Sequence, residues 1–161
     1  MAKITFKGLD RYLEELYKMK GDGMVTIEKS VYVGAKVIAD SIKSSMNGIQ
    51  TRVPGKFYDS GMAPGPTPQE KADMIASFGL SPMRDDNGYV NTKAGFDGYG
   101  RHQTPGFPNG VPNAVVARSC ESGTSWMKKQ PFMRKSVNGA RTAAVAAMSA
   151  KFDEEIKKIM N

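Results

Sequence analysis

Hydrophobic and polar residues alternate with two different periods near the start of the chain. In residues 4–7, Ile4 and Phe6 face one side and polar residues the other, which predicts a short half-buried strand. Residues 9–17 then place leucine and tyrosine three and four positions apart, a spacing typical of an amphipathic helix. We expect this helix to end at residues 21–23, because the two glycines there adopt left-handed backbone angles at little cost.

A second helix is predicted from residue 26 to residue 46. Its apolar positions recur every three to four residues and form one stripe, made of Ile27, Val31, Ala35, Ile38, Ile42 and Met46. Gly34 and Ala35 also lie on this helix, and such small residues let another backbone approach closely. We interpret this face as packing rather than chemistry.

Two stretches rich in glycine and proline, residues 47–67 and 97–111, show no hydrophobic period. Both are far longer than the usual connection of about 4–6 residues, so we expect flexible loops with a role in function. The first loop ends in a helix start signal, with Thr67 as the cap, Pro68 at the first helical position and Glu70 reaching back to the cap. This pattern predicts a short helix directly after the loop.

A β-hairpin is predicted around Asn87-Gly88, a dipeptide that accepts positive φ at both central turn positions. After the turn, residues 90–96 alternate between apolar and polar, which favours one continuous strand. Pro82 lies in the partner strand and has no N–H to donate, so that strand is expected at a sheet edge.

The last third of the chain predicts two further helices. Pro112 begins a short one, which we expect to end at Gly123. The other runs from residue 132 to residue 160 and, at about 1.5 Å per residue, is roughly 40 Å long. Its predicted apolar stripe consists of Val137, Ala140, Ala144, Ala147, Met148, Phe152, Ile156 and Ile159.

The composition sets limits on the class of protein. A length of 161 residues suits one structural domain, residues 1–161, and 40% hydrophobic with 24% charged residues is ordinary for a folded protein. No apolar run approaches the roughly 20 residues that cross a bilayer, so no membrane association is expected. A single cysteine excludes an internal disulfide and fits a reducing cytoplasm.

The chain offers little for catalysis. Cys120 would need a base to become a nucleophile, and the only histidine, His102, lies in the second predicted loop. One cysteine and one histidine do not supply the four ligands of a structural zinc site. We therefore predict that Cys120 is buried and inert, that no cofactor or metal is used, and that the protein is not an enzyme.

A basic segment, residues 128–151, stands out within a net charge of +7. No acidic residue occurs between Glu121 and Asp153, whereas the segment contains six lysines and arginines. Phosphate contacts need such cations, so DNA association is one interpretation. No helix-turn-helix, zinc-finger or RNA-recognition signature accompanies the cations, so sequence-specific reading is not favoured.

The stretch between the last two helices is interpreted as a structural corner. Trp126 and Phe132 are predicted to be buried there, with Phe132 fixing the corner to the core. Arg118, Glu121 and Arg134 are expected to lie close enough for ion pairs, either within the chain or with a neighbouring subunit.

Three segments together resemble one known family. The most specific is A-R-S-x-E-x-G-T-S followed by P-F-M-R, at residues 117–134; F-x-G-L-D at residues 6–10 and DDNGYVNTKAGF at residues 85–96 are the others. Over nearly its whole length the chain is similar to the neck and tail-completion proteins of long-tailed bacteriophages and prophages. That family includes minor tail components and head–tail joining proteins.

The resemblance implies an α+β subunit with a small antiparallel sheet packed against two or three helices, including the long C-terminal helix, and two long loops. It implies a structural virion protein, made in the host cytoplasm, that forms a ring at the head–tail junction. The ring, expected to be a hexamer, would complete the tail and join it to the DNA-filled head. Its implied partners are further copies of the chain and adjacent neck, tail-tube or head-closure proteins.

On this interpretation two sets of residues become candidates for function. The candidate assembly residues of the corner are Arg118, Glu121, Trp126, Phe132 and Arg134. The candidate cations for non-specific contact with genomic DNA in the channel are Lys128, Lys129 and Lys135. The alternative is a DNA-associated phage accessory protein that uses the basic segment directly.

Overall fold

The structure, a computed structural model, describes residues 9–58, 61–87 and 89–160, with side chains from residue 21 onward. In chain order the elements are α1 (Leu9–Asn47), α2 (Pro68–Ser77), β1 (Phe78–Leu80), β2 (Arg84–Asp86), β3 (Tyr89–Asn91), β4 (Ala94–Phe96), α3 (Asn113–Ser122) and α4 (Met133–Met160). The predicted α+β class, with a long C-terminal helix, is confirmed. The predicted strand at residues 4–7 lies outside the described residues.

α1 is one helix where the sequence predicts two. It continues through residues 21–23, so the predicted break there is wrong. Glycine inside a helix costs only about 1 kcal/mol relative to alanine, and no proline interrupts the segment. Asp22, between the two glycines, lies beside the last turn of α4. Packing of α1 along α4 therefore outweighs the weak local preference for a break.

α1 and α4 lie antiparallel and form the body of the fold. Their contacts run in opposite chain order, with Lys29 Nζ 2.6 Å from Glu155 Oε2 at one end and Ser136 Oγ 2.6 Å from Ser45 Oγ at the other. Gly34 approaches α4 so closely that an added Cβ would lie 2.3 Å from Cγ of Met148. The close helix approach predicted at Gly34 is confirmed.

Small residues line this helix pair, and toward the end where Lys29 meets Glu155 some of them are polar. Thr26 and Ser30 are both buried, and the Ser30 hydroxyl donates to the Thr26 carbonyl at 2.8 Å. Ile27 and Phe152 remain 41% and 40% exposed. Small side chains bring the two backbones together and leave bulkier ones on the flanks. The predicted stripes are therefore wrong in part, although deeper positions such as Ile42 are buried as expected.

The strands form two short antiparallel ladders rather than one continuous sheet. β2 pairs with β3 across a turn in which Asn87 has a φ of 57°, so the predicted hairpin is confirmed. β1 pairs with β4. The ladder breaks between the two pairs for two reasons. Pro82 has no N–H to donate, and the Lys93 N–H donates to the Ser81 hydroxyl at 3.0 Å, a side-chain oxygen and not a backbone carbonyl. The predicted continuous second strand is therefore interrupted.

The core lies where α1, α2 and α3 meet the corner before α4. Its most deeply buried side chains include Ile42, Met46, Met74, Cys120, Met127 and Phe132. The capping box of α2 is confirmed, because Thr67 Oγ1 accepts the Glu70 N–H at 3.2 Å and Glu70 Oε2 accepts the Thr67 N–H at 2.7 Å. α3 ends at Gly123, with a φ of 76°, as predicted.

Candidate assembly site

Glu121 holds together the corner between α3 and α4. From the last turn of α3, its carboxylate accepts the backbone N–H groups of Phe132, Met133 and Arg134 at 2.8, 2.8 and 3.1 Å. The first amides of a helix have no partner within it, and negative charge is favourable beside them. Glu121 thus caps α4 from another helix.

The predicted ion pairs of Glu121 within the chain are wrong. Burial tends to raise the pKa of this carboxyl, but the hydrogen bonds from Met133, Arg134 and Phe132 hold the pKa below its ordinary value. Arg134 attracts the carboxylate, yet in the described part of the chain neither Arg134 nor Arg118 forms an ion pair with it, because backbone amides occupy both oxygens. Both arginine side chains are exposed.

Trp126 is 45% exposed, so its predicted burial is wrong. Its carbonyl accepts the Ala63 N–H at 2.7 Å, and Met127 pairs with Ala63 in a short parallel bridge. Through this bridge the Met127 side chain faces the core and is buried, whereas the side chain of Trp126, in the bend just before it, stays on the outside. Phe132 is buried 6.3 Å from the Phe96 ring, centroid to centroid, and its predicted role in fixing the corner is confirmed.

The predicted cations Lys128, Lys129 and Lys135 are all exposed. None of the three forms an ion pair with another described residue. At the far end of the basic segment, Lys151 lies 3.1 Å from Glu154 and 3.0 Å from Glu155. Unpaired positive charge is therefore concentrated at the corner and the first turns of α4, not along the whole segment.

An open cavity of about 370 Å³ lies beside the corner, between α3 and the two loops. Its walls are mainly apolar and include Phe107, Val115 and Trp126. Arg52 lies over the Trp126 ring, 5.0 Å from its centroid, in a cation–π contact at the edge of the cavity.

A buried carboxylate organises the polar wall of this cavity. Glu70, which also caps α2, lies 3.1 Å from His102 Nδ1 and 3.7 Å from Arg52 Nη2. These three residues come from three separate stretches of the chain. No spacing pattern in the sequence joins these three residues, so the cluster was not predicted; the polar residues in the two loops are the one signal that could have suggested it.

The first loop, residues 47–67, is anchored to the body near both ends. The Gln130 side chain donates to the carbonyls of Gln50 and Pro64 at 3.1 and 2.7 Å. Between these anchors, Phe57 is 97% exposed. The exposed part of this loop is thus a short tip rather than its whole length.

Arg101 fastens the second loop, residues 97–111, to α2. Its Nε and Nη2 donate to Asp73 Oδ1 at 3.0 and 2.6 Å, and its backbone N–H donates to Asp73 Oδ2 at 2.8 Å. The hydrogen bond from Arg101 holds the pKa of the Asp73 carboxyl below its ordinary value despite partial burial. This pair was not predicted either, because Asp73 and Arg101 are 28 positions apart and share no sequence pattern.

Asp73→Asn is expected to loosen the second loop, because the amide has no charge and one acceptor fewer for Arg101. Trypsin should then cut after Arg101 several-fold faster, with helix content by circular dichroism unchanged. Asp40→Asn, at an exposed position of α1, is the matched control. Equal cleavage of both variants would mean that other contacts hold the loop.

Cys120 is fully buried, as predicted. Burial raises the pKa of its thiol to about 12, and the negative charges of Glu70 and Glu121 act in the same direction. Since the thiolate is the reactive form, this side chain is poorly placed to act as a nucleophile.

We expect a thiol reagent at pH 8 to modify Cys120 roughly 100-fold more slowly in the folded protein than in denaturant. Burial and the raised pKa both suppress the reactive form. An aromatic disulfide reagent releases a chromophore when it reacts with a thiol, so the absorbance change measures the modification rate of Cys120 in the folded and in the denatured protein. A native rate close to the denatured rate would contradict the inert role.

Among residues 21–58, 61–87 and 89–160, whose side chains the structure describes, no three His, Cys, Asp or Glu side chains are placed to hold a metal ion. Over the same residues, no helix is both long and apolar enough to span a membrane. No protein-family model, curated protein or solved structure matches this chain.

Proposed function

We propose that this chain is a structural subunit of a ring at the head–tail junction of a long-tailed bacteriophage or prophage. The ring would complete the tail and join it to the DNA-filled head. Two features support the proposal. One is the resemblance in residues 117–134, which form the corner capped by Glu121. The other, which carries the proposal, is an apolar groove that stays open along the two long helices.

The groove lies between α1 and α4 and encloses about 290 Å³. Ile27, Val31, Met148 and Phe152 contribute its apolar lining. Contact sites between proteins commonly use exposed apolar surface. An assembling subunit would bury this groove against its neighbours.

The mechanism on this proposal is assembly without catalysis. Head-to-tail contacts between identical subunits close a ring when the rotation that relates neighbouring subunits is an integer fraction of a full turn, as in the expected hexamer. The exposed tip of the first loop would contact the ring above or below, where the aromatic ring of Phe57 could be buried. Loop segments commonly change conformation when a partner binds.

A charge in the groove is expected to prevent assembly while leaving the subunit folded. Phe152→Glu should reduce incorporation into virus particles roughly tenfold or more, since assembly would bury an unpaired carboxylate. Mass spectrometry of purified particles from complemented lysates measures the incorporation. Ala143→Glu, at an exposed position of the same helix, is the control. Normal incorporation of Phe152→Glu would exclude the groove as a subunit contact.

The exposed Lys128, Lys129 and Lys135 favour a second candidate, a DNA-associated accessory protein that uses residues 128–151. Binding through phosphate contacts is tight and falls steeply with salt. Titration with duplex DNA at about 0.15 M salt distinguishes the two candidates. If the lysines only line the channel of an assembled ring, the free subunit should bind DNA weakly. Tight, salt-sensitive binding of DNA by the free subunit would favour the accessory protein.

A further inference from the structure

The cavity beside the corner has the size and the lining of a ligand site. It encloses about 370 Å³. Sites for small molecules are typically concave, about 300–1,000 Å³ in volume, and mostly apolar with a few polar groups. Val116 and Met127 contribute buried apolar surface to this cavity, whereas Phe107 and Trp126 are partly exposed. The cavity therefore combines an apolar interior with aromatic side chains that reach the solvent.

The polar side of this cavity centres on the guanidinium of Arg52. It lies over the Trp126 ring, 5.0 Å from the centroid, and the Arg52 backbone N–H donates to the Pro66 carbonyl at 2.9 Å. Glu70 Oε2 is 3.7 Å from Nη2 of Arg52, too far for a hydrogen bond. In the described part of the chain no oxygen accepts a hydrogen bond from this guanidinium. Its planar fork of donors, which matches the two oxygens of a carboxylate, is therefore available to a ligand.

Glu70, the one acid in the lining, lies deeper than its two partners. Its side chain is 9% exposed, whereas those of Arg52 and His102 are 25% and 33% exposed. Both of its oxygens are engaged, because Oε2 accepts the Thr67 N–H at 2.7 Å and Oε1 lies 3.1 Å from His102 Nδ1. Glu70 thus holds the outer side chains in position and is poorly placed to receive a cation from the solvent.

Hydroxyl groups add further donors to the wall. Thr124 Oγ1 already accepts the N–H groups of Met127 and Trp126, at 3.0 and 3.4 Å, so its own O–H is left to donate. Ser119 contributes a second hydroxyl to the lining. An ionised carboxylate only accepts hydrogen bonds and complements these groups together with Arg52, whereas an ammonium group only donates and opposes them.

We propose that this cavity binds a small aromatic carboxylic acid. The aromatic ring of the ligand packs against Phe107, Val116 and Met127, and its carboxylate accepts hydrogen bonds from the guanidinium of Arg52. Aromatic rings add to the burial of their area when they meet other rings at an offset or edge to face, which favours an aromatic body beside Phe107 and Trp126. The proposal is separate from the function in ring assembly, because it concerns a site within one subunit.

Titration of the purified chain with three probes of similar shape tests this proposal. Phenylpropionate is the acid, phenylpropionamide its neutral counterpart and phenylpropylamine its cationic one. Trp126 is the one tryptophan of the chain, so its fluorescence and its single indole N–H signal in NMR spectra report on the cavity directly. We expect a Kd of about 1 mM or lower for the acid. The amide should bind about tenfold more weakly, and the amine more weakly still.

Substitution of Arg52 separates binding of the acid from the shape of the cavity. Arg52→Gln should abolish the preference for the acid over the amide, while binding of the amide changes by less than about twofold. Arg52→Lys keeps the charge without the planar fork and should give an intermediate preference. Arg118→Gln is the matched control, because Arg118 is an exposed arginine of α3 outside the lining, and this variant should keep the full preference.

The outcomes are distinct. A preference for the acid that disappears in Arg52→Gln and persists in Arg118→Gln supports the site. No saturable binding of the acid up to about 10 mM, or equal binding of all three probes, overturns it. Loss of amide binding along with acid binding in Arg52→Gln would mean that Arg52 shapes the cavity, and would overturn its role in holding the carboxylate. None of these results depends on virus particles, so failure of this proposal leaves the proposed function standing.

Discussion

Glu121→Ala is expected to lower the free energy of unfolding by about 2 to 3 kcal/mol, because three amides at the start of α4 lose a charged acceptor. The three hydrogen bonds, at 2.8, 2.8 and 3.1 Å, join the last turn of α3 to the backbone at the start of α4. For a chain of this size the loss corresponds to a thermal midpoint roughly 5–10 °C lower. Thermal and urea unfolding followed by circular dichroism would measure it.

The charge of Glu121 makes part of this contribution depend on pH. The pKa of the folded carboxyl is held below that of the unfolded chain, so the stabilisation is complete above about pH 5. It is lost as pH falls through the lowered pKa. The stability difference between wild type and Glu121→Gln, which keeps the shape but not the charge, should therefore shrink on acidification.

Glu154→Ala is the matched control for Glu121→Ala. Glu154 is exposed, and among the described residues its ion pairs are with Lys151 and Lys158 of its own helix, a type of contact worth about 0.5 kcal/mol or less. Equal destabilisation by the two alanine variants would contradict the capping role of Glu121.

Gly65→Ala is expected to have an effect of similar size, about 3 kcal/mol, for a steric reason. An added Cβ would lie 1.8 Å from the Gln50 carbonyl oxygen and 2.6 Å from Gln130 Nε2. The backbone would have to move, and the Gln130 hydrogen bonds that anchor the first loop would be lost. Urea unfolding should show the loss, together with faster proteolysis near the loop tip.

Gly139→Ala separates this steric effect from a general effect of replacing glycine. Gly139 is exposed inside α4, and an added Cβ there meets nothing within 4 Å. Alanine is the better helix former, so this variant should gain up to about 1 kcal/mol. A stable Gly65→Ala variant would mean that residues 50 and 65 are not packed together as described.

Elements with local chemical signals could be predicted from the sequence. Thr67, Pro68 and Glu70 mark the start of α2, and Asn87 marks the hairpin turn, because capping and turn geometry depend on residues close in sequence. The glycines of residues 21–23 gave a misleading signal, since the long packing of α1 on α4 overrides a local cost of this size.

The candidate site depended on contacts that sequence patterns do not encode. The hydrophobicity of Trp126 favoured burial, but the bridge between Ala63 and Met127 decides which side chain faces the core. Glu121 was recognised as a corner residue, yet its partners are backbone amides, which have no signature in the sequence. The position of the corner was predictable, whereas the contacts that hold it were not.

Electron microscopy of lysates from a phage or prophage lacking this gene tests the proposed joining of phage tails to heads. We expect separate DNA-filled heads and unattached tails, or tails of uncontrolled length, with intact particles restored by the wild-type gene supplied in trans. Intact, infectious particles in the absence of the gene would show that the chain does not join heads to tails.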